Sequence, residues 1–263
     1  MKIPFYKYHA NGNDFILLLS ESLDKKYRDS KLIGRLCNRH IGIGADGLFI
    51  ISPSKKYDFF LDYYNADGTW ETLCANGSRC AASLMYDEGG VGLKMVFETG
   101  SGVHFSEILT DGRVTMTMLI PKYKSKQLIV EGVVGCFVDS GARHFVVESK
   151  KLEDDYVLKM GRKIRYASEF QPKGINVNFY CLDQKGCVEI KTYEKGVEQV
   201  MLSCASGSAA VVFHLSKINA VCSPVTTCSS GGDLIYTFDN KWSGFLSEGP
   251  AEFLFKGEFC LEK

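Results

Sequence analysis

The chain is expected to fold as an α+β (or α/β) protein of two pseudo-symmetric domains, because the same small turn occurs twice within a mixture of strand-period and helix-period segments. "CANGS" begins at Cys74 and "CASGS" at Cys204, 130 positions apart. Sliding the chain by that offset lays Phe15 over Phe145, Gly44 over Gly174, Phe49 over Phe179 and Tyr63 over Tyr193. Self-similarity shared by separate landmarks is the signature of an internal repeat. At 263 residues there is enough chain for two cores of ordinary size.

Each element has a local reason. "RVTMTML" alternates Val114, Met116 and Met118, and "VEIKT" alternates Val188, Ile190 and Thr192, the period of half-buried strands. "FILLL", "LFIIS", "FVVES" and "DLIYTF" are apolar runs of strand length. After Cys74, Ala81, Leu84 and Met85 recur at helical spacing. After Cys204, "AAVVFHL" is apolar nearly all round, as a helix at a domain centre would be. "SKLIGRLCNR" and "KLEDDYVLKM" predict two further helices. The domain boundary is placed near residues 119 to 127, where Pro121 and three lysines break the strand pattern, giving domains of 1–120 and 121–249. The final segment 250–263 reads as a strand returning to the first domain.

Bulk properties exclude several function classes. The chain has 31 basic and 31 acidic residues, so no net field favours nucleic acid or a membrane surface. No apolar run reaches membrane-spanning length, and the start has no signal-peptide pattern. A cytoplasmic location follows as the expectation, with the ten cysteines reduced rather than paired in a disulfide framework. Cys181/Cys187 and Cys222/Cys228 are each spaced by six, which is not a zinc-site spacing. Cys80 reads as core. "GIGADG" has the letters of a nucleotide-binding turn, at Gly42, Gly44 and Gly47, but a strand follows where a helix should open, so it reads as a plain turn. His9, His40, His104 and His214 are assigned to structure or surface, whereas His144, in the repeat position of Asp14, is a candidate polar group at the site.

The paired turns carry the chemistry. A cysteine where a strand enters a helix lies beside backbone N–H groups that the helix leaves unused, and these favour a thiolate. The same groups can seat a carboxylate, which small neighbours allow to approach closely. Two such turns on either side of one carbon would supply a base on one face and an acid on the other. That suits inversion α to a carboxylate with no cofactor and no metal. The blander alternative for each cysteine alone is a small buried hydrophobe.

On "HANGNDF", "CNRHIGIGADGL", "YNADGTWETLCANGSRCAA", "GARHF", "INVNF", "YEKGVEQVMLSCASGSAA" and "EGPAEFLFKGEF", the chain resembles the diaminopimelate epimerase family, from residue 9 to residue 259. The resemblance implies two domains, each a curved mixed sheet wrapped around a central helix. It also implies interconversion of LL- and meso-diaminopimelate in lysine and peptidoglycan synthesis. Carried over, Cys74 and Cys204 are the acid/base pair, with His144 and Glu194 in catalytic support. Substrate contacts fall on Asn13, Asn65, Asn176, Glu194 and Lys195, and on the helix-end pairs Ala75–Asn76 and Ala205–Ser206.

Five positions depart from the family pattern. Ala75 and Ala205 replace glycines, Gly47 and Ala142 stand where the family has amides, and Lys195 stands for an arginine whose bidentate fork lysine cannot reproduce. These departures keep a broader amino-acid racemase, acting on glutamate for example, as an alternative. A thiol-redox or metal-binding protein is the non-enzymatic alternative. The expected partners are a small amino-acid substrate and a second copy of the chain, with neither nucleic acid nor membrane.

Overall fold

The computed structural model describes residues 2–22, 28–182 and 187–261. The chain divides into two compact units, Met1–Thr117 with Gly249–Lys263, and Met118–Glu248. In the first unit the strands are β1 (Lys2–Ala10), β2 (Asn13–Leu19), β3 (Gly47–Ser52), β4 (Phe59–Asn65), β5 (Trp70–Glu71), β6 (Lys94–Thr99), β7 (Gly102–Ile108) and β8 (Val114–Thr117), with helices α1 (Ser30–Cys37) and α2 (Ala75–Asp87). The second unit repeats this series with β9 (Lys122–Val130), β10 (Val133–Asp139), β11 (Arg143–Glu148), β12 (Asn176–Leu182), β13 (Val188–Glu194), β14 (Gln199–Met201), β15 (Val225–Ser229), β16 (Gly232–Phe238) and β17 (Phe245–Gly249), and with helices α3 (Asp154–Arg165) and α4 (Ala205–Lys217). The last strand, β18 (Glu252–Cys260), pairs antiparallel along β1, so chain closure gives the first unit its outer strand.

Strand pairing follows one plan in both units. β1 and β2 are antiparallel, β2 and β3 parallel, β3 and β4 antiparallel, and β4 runs parallel to β6. In the second unit β10 and β11, β11 and β12, β12 and β13, and β13 with β15 repeat those relations. A parallel pair needs a crossover. α1 and α2 make the two crossovers of the first unit, α3 and α4 those of the second. The outer helices cover one sheet face: Leu32, Ile33 and Leu36 of α1 pack with Ile16, Leu18, Leu48 and Ile50, and Val157 and Ile164 of α3 with Phe145, Val147, Val177 and Phe179.

The other face curls around the central helix. α2 touches β1, β2 and β3 on one side and β7 and β8 on the other, and α4 touches β10, β11 and β12 as well as β15 and β16. A helix enclosed in this way must be apolar or small on nearly every side. α4 accordingly buries Ala209, Ala210, Val211, Val212, Phe213 and Leu215 in one run. This is the mixed sheet around a central helix that the family resemblance implies, with the helix after Cys204 buried as its all-round apolar sequence predicts.

Two expectations need correction. The strand pattern does break at 118–121, between β8 and β9, but the lysines are not part of that break, since β9 begins at Lys122. Its exposed Lys122, Lys124 and Lys126 alternate with half-buried Tyr123 and Ser125, so the lysines mark the wet face of a strand rather than a gap. Nor are all cysteines free thiols: Cys187 and Cys228 are joined, with Cα atoms 6.5 Å apart. Parallel pairing of β13 and β15, with Glu189 opposite Cys228, brings together residues 41 positions apart. No local spacing encodes that neighbour relation. Cys37, Cys80 and Cys136 are buried, and burial pushes each thiol up, to about 12 for Cys37 and Cys136, which leaves them inert.

Candidate active site

Both cysteines of the repeated turn occupy the same place in their units. Cys74 is the N-cap of α2 with φ −133° and ψ 114°, and Cys204 is the N-cap of α4 with φ −136° and ψ 99°. Neither side chain caps its helix. The first intrahelical bonds run from Ser78 N–H to Cys74 C=O and from Ser208 N–H to Cys204 C=O, each 2.9 Å. The N–H groups of Ala75, Asn76 and Gly77, and of Ala205, Ser206 and Gly207, are therefore outside the helical ladder. Both cysteines are half-buried, unlike the core thiols.

The third helical residue has to be glycine. A Cβ on Gly77 would lie 2.0 Å from Phe49 Cε2, and one on Gly207 would lie 2.1 Å from Asn178 Nδ2. Side-chain-free backbone lets each helix start rest directly against its β3 or β12 partner.

In the first unit, a hydrogen-bonded chain holds the residues around this turn. Arg79 is fully buried and donates to Asn76 Oδ1 (2.8 Å) and Asn11 Oδ1 (3.0 Å). Asn76 Nδ2 reaches Asn13 Oδ1 at 3.4 Å, and Asn13 Nδ2 donates to Asp46 Oδ2 at 2.7 Å. Arg39 then bridges Asp46 (2.8 Å) and Asp14 (2.6 Å), and Lys7 donates to Asp14 at 2.7 Å. Burial raises the Asp14 carboxyl pKa, but hydrogen bonds and charge from Arg39 and Lys7 outweigh it and hold the group down at about 2. Asn65 ends β4, accepts from Tyr63 Oη at 2.8 Å and donates to Thr69 Oγ1 at 3.2 Å.

In the second unit the equivalent chain is uncharged. His144 is fully buried on β11 between Asn178 and Ser206: Nδ1 lies 2.8 Å from Asn178 Oδ1, and Nε2 lies 3.1 Å from Ser206 Oγ. Ser206 Oγ is 3.6 Å from Cys204 Sγ, and Asn178 Nδ2 donates to Thr192 Oγ1 at 2.7 Å. Burial drives the His144 imidazole down to about 4, against smaller opposing effects of Asn178 and Asp139. Asn176 sits opposite His144 in the parallel register, and its Oδ1 accepts from Lys195 N–H at 2.8 Å. Glu194 ends β13 half-buried, and the Lys195 side chain is exposed. Ala142 is half-buried in the β10–β11 turn, its C=O accepting from Ser140 N–H at 3.1 Å.

Within the first unit Asn13 and Asn76 thus meet, and within the second His144, Ser206 and Cys204. Sequence reasoning passed over Arg79, Asp46, Asn178 and Thr192. A signal existed for two of them. Asn178 stands two residues after Asn176, on the same face of an otherwise apolar strand, and Arg79 is the one charge in a turn of small residues.

Gly47 also differs from the sequence expectation of a simply missing amide. A Cβ there would come within 2.8 Å of Tyr63 Cε2 and 2.9 Å of the Tyr64 carbonyl oxygen. The Tyr63 ring stacks on Phe49 at 4.7 Å, and the Tyr64 carbonyl is backbone, so neither neighbour can yield cheaply.

A family model described as diaminopimelate epimerase matches residues 5–122. A diaminopimelate epimerase of Aquifex aeolicus is 37% identical, covering 99% of this chain and 99% of that protein. One of Campylobacter jejuni subsp. doylei is 34% identical over 98% of this chain and 99% of its own length. Among solved structures, a hydroxyproline epimerase of Agrobacterium vitis with bound trans-4-hydroxy-L-proline superposes with TM-score 0.79 at 14% identity, covering 100% of this chain and 93% of that one. A phenazine biosynthesis protein of the PhzF family from Bacillus anthracis gives 0.79 at 12% identity, covering 99% and 100%. At such identities these two likenesses show a common fold.

Replacing Gly47 by Gln should cost about 1–3 kcal/mol of stability, the usual range for forcing atoms into a packed site. Thermal unfolding of the variant checks this, and an unchanged midpoint would contradict the contact geometry.

Proposed function

This chain belongs to the diaminopimelate epimerase family, and from that premise we propose that it inverts one α-carbon of diaminopimelate, converting the LL to the meso form. One cysteine thiolate removes the α-proton while the other thiol delivers a proton to the opposite face. The observation that carries this reading is the matched pair of half-buried N-cap cysteines, one in each unit, in a chain whose full-length relatives are named for that reaction. Naming of relatives along nearly the whole chain does not favour the broader racemase or the non-enzymatic thiol protein.

The roles follow from what each group can offer. Developing negative charge on the substrate carboxylate is met by the N–H groups of Ala75 and Asn76 and of Ala205 and Ser206, aligned with two helix dipoles. No cofactor is required in this scheme, because the electron density withdrawn from the Cα–H bond is held by those donors. Asn13, Asn65 and Asn176 serve as substrate ligands. The Asn176 oxygen is already committed to Lys195 N–H, so it presents N–H donors, which suit a carboxylate. Glu194 is the acidic group for an ammonium, and Lys195 is a cation for the distal carboxylate. His144 supports Cys204 through Ser206.

The same reading includes a homodimer. β18 exposes Phe253, Leu254 and Phe255 in succession, each about half accessible, and β1 is its pairing partner among the described residues. A run of large apolar side chains on a sheet's outer strand supports burial by a second copy. Phe255→Asp should convert a dimer to a monomer in sedimentation, and a wild-type chain that sediments as a monomer would refute this assignment.

Cys74→Ser and Cys204→Ser should each lower epimerisation by about 10²–10⁴-fold while leaving the unfolding midpoint nearly unchanged. Near-normal turnover by either variant would overturn the two-thiol mechanism.

A further inference from the structure

Resting on the reading of Cys204 as an acid/base group, we infer that Asn178 is a positioning residue that locks His144 in one neutral tautomer, so that Nε2 of the imidazole receives a hydrogen bond from Ser206 and never gives one to it. The chain of contacts has a direction. Asn178 Nδ2 is spent on Thr192 Oγ1 at 2.7 Å, which leaves Asn178 Oδ1 facing His144 Nδ1 at 2.8 Å. A carboxamide oxygen can only accept, so Nδ1 carries the proton. In a neutral ring Nε2 is then bare and can only accept, and the atom facing it is the Ser206 hydroxyl, 3.1 Å away. Ser206, its proton directed to His144, turns lone pairs toward Cys204 Sγ at 3.6 Å and takes a hydrogen bond from S–H.

Burial makes the alternatives expensive. His144 and Asn178 are both fully inaccessible, and an unmatched buried donor or acceptor costs about 1–3 kcal/mol. The opposite tautomer would leave Nδ1 and Asn178 Oδ1 as two facing acceptors. A protonated ring would need a nearby anion, and Asp139 at the end of the adjoining strand β10 is the charged group acting on it, more weakly than burial opposes it. Gly207 completes the arrangement, because any side chain there would collide with the Asn178 amide. His144 is thus built as a fixed acceptor toward Ser206 rather than as a store for the proton in transit, and Asn178 and Thr192 set its polarity.

The test uses full-length protein with 15N-labelled histidine and no substrate, the His144 signals being identified by their loss in His144→Gln. Near neutral pH the ring should show a pyrrole-type Nδ1 and a pyridine-type Nε2. The reverse assignment, or two pyrrole-type nitrogens, would overturn the proposal. Asn178→Asp keeps the accepting oxygen and lets Thr192 donate in place of the lost amide, but adds an anion. The ring should then hold two protons near neutral pH. The Ser206 contact reverses, and kcat falls roughly tenfold or more with KM within about twofold, recovering as pH rises. An Asn178→Asp enzyme with the wild-type pH profile would also overturn it. The nitrogen spectra are read on the resting protein, so their outcome is independent of whether Cys204 proves essential for turnover.

Discussion

The first turn of each central helix lies so close to its own sheet that no side chain fits at Gly77 or Gly207. A methyl group at either position would overlap Phe49 or Asn178. That contact fixes where the helix begins, and with it the position of the preceding cysteine at the end of a short loop from β5 or β14. Because the residue at the N-cap is a cysteine that makes no capping bond, its side chain takes up none of the three following N–H groups. The enclosing sheet, the buried apolar helix and the half-buried thiol are consequences of one close approach made twice.

The two units share this frame and fit it out differently. In the first, Asn76 is held by a buried cation, Arg79, and the hydrogen-bonded chain runs on into the Asp46–Arg39–Asp14–Lys7 cluster. In the second, Ser206 occupies the corresponding place and is held by a neutral imidazole backed by two uncharged side chains. Repetition of the backbone therefore does not repeat the electrostatics. An inversion at one carbon presents two unlike faces, with the carboxylate common to both. A backbone plan repeated with unlike polar fittings suits that task.

Much of this was legible in the sequence, and the reasons are local. The 130-residue offset found from the cysteine turns also carries the starts of β2, β3 and β4 onto those of β11, β12 and β13 to within a residue. Apolar runs gave the strands, and the all-round apolar character after Cys204 gave the enclosed helix. What escaped depends on neighbours brought together by parallel pairing. Asn178 acquires meaning only when β12 lies beside β11 and sets it against His144. The Cys187–Cys228 link exists only because β13 adjoins β15. The lysines of β9 misled for a related reason: alternate charges read as a linker until one face of the strand is known to be covered.

The central claim, that a proton leaves one face and a different proton arrives at the other, is tested most directly by isotope content during turnover in D₂O. With LL-diaminopimelate as substrate and only a small fraction converted, the account predicts meso product carrying one deuterium at the inverted carbon, while unreacted substrate retains protium there. Product that keeps the substrate's own protium would show a single shuttling base and contradict the account.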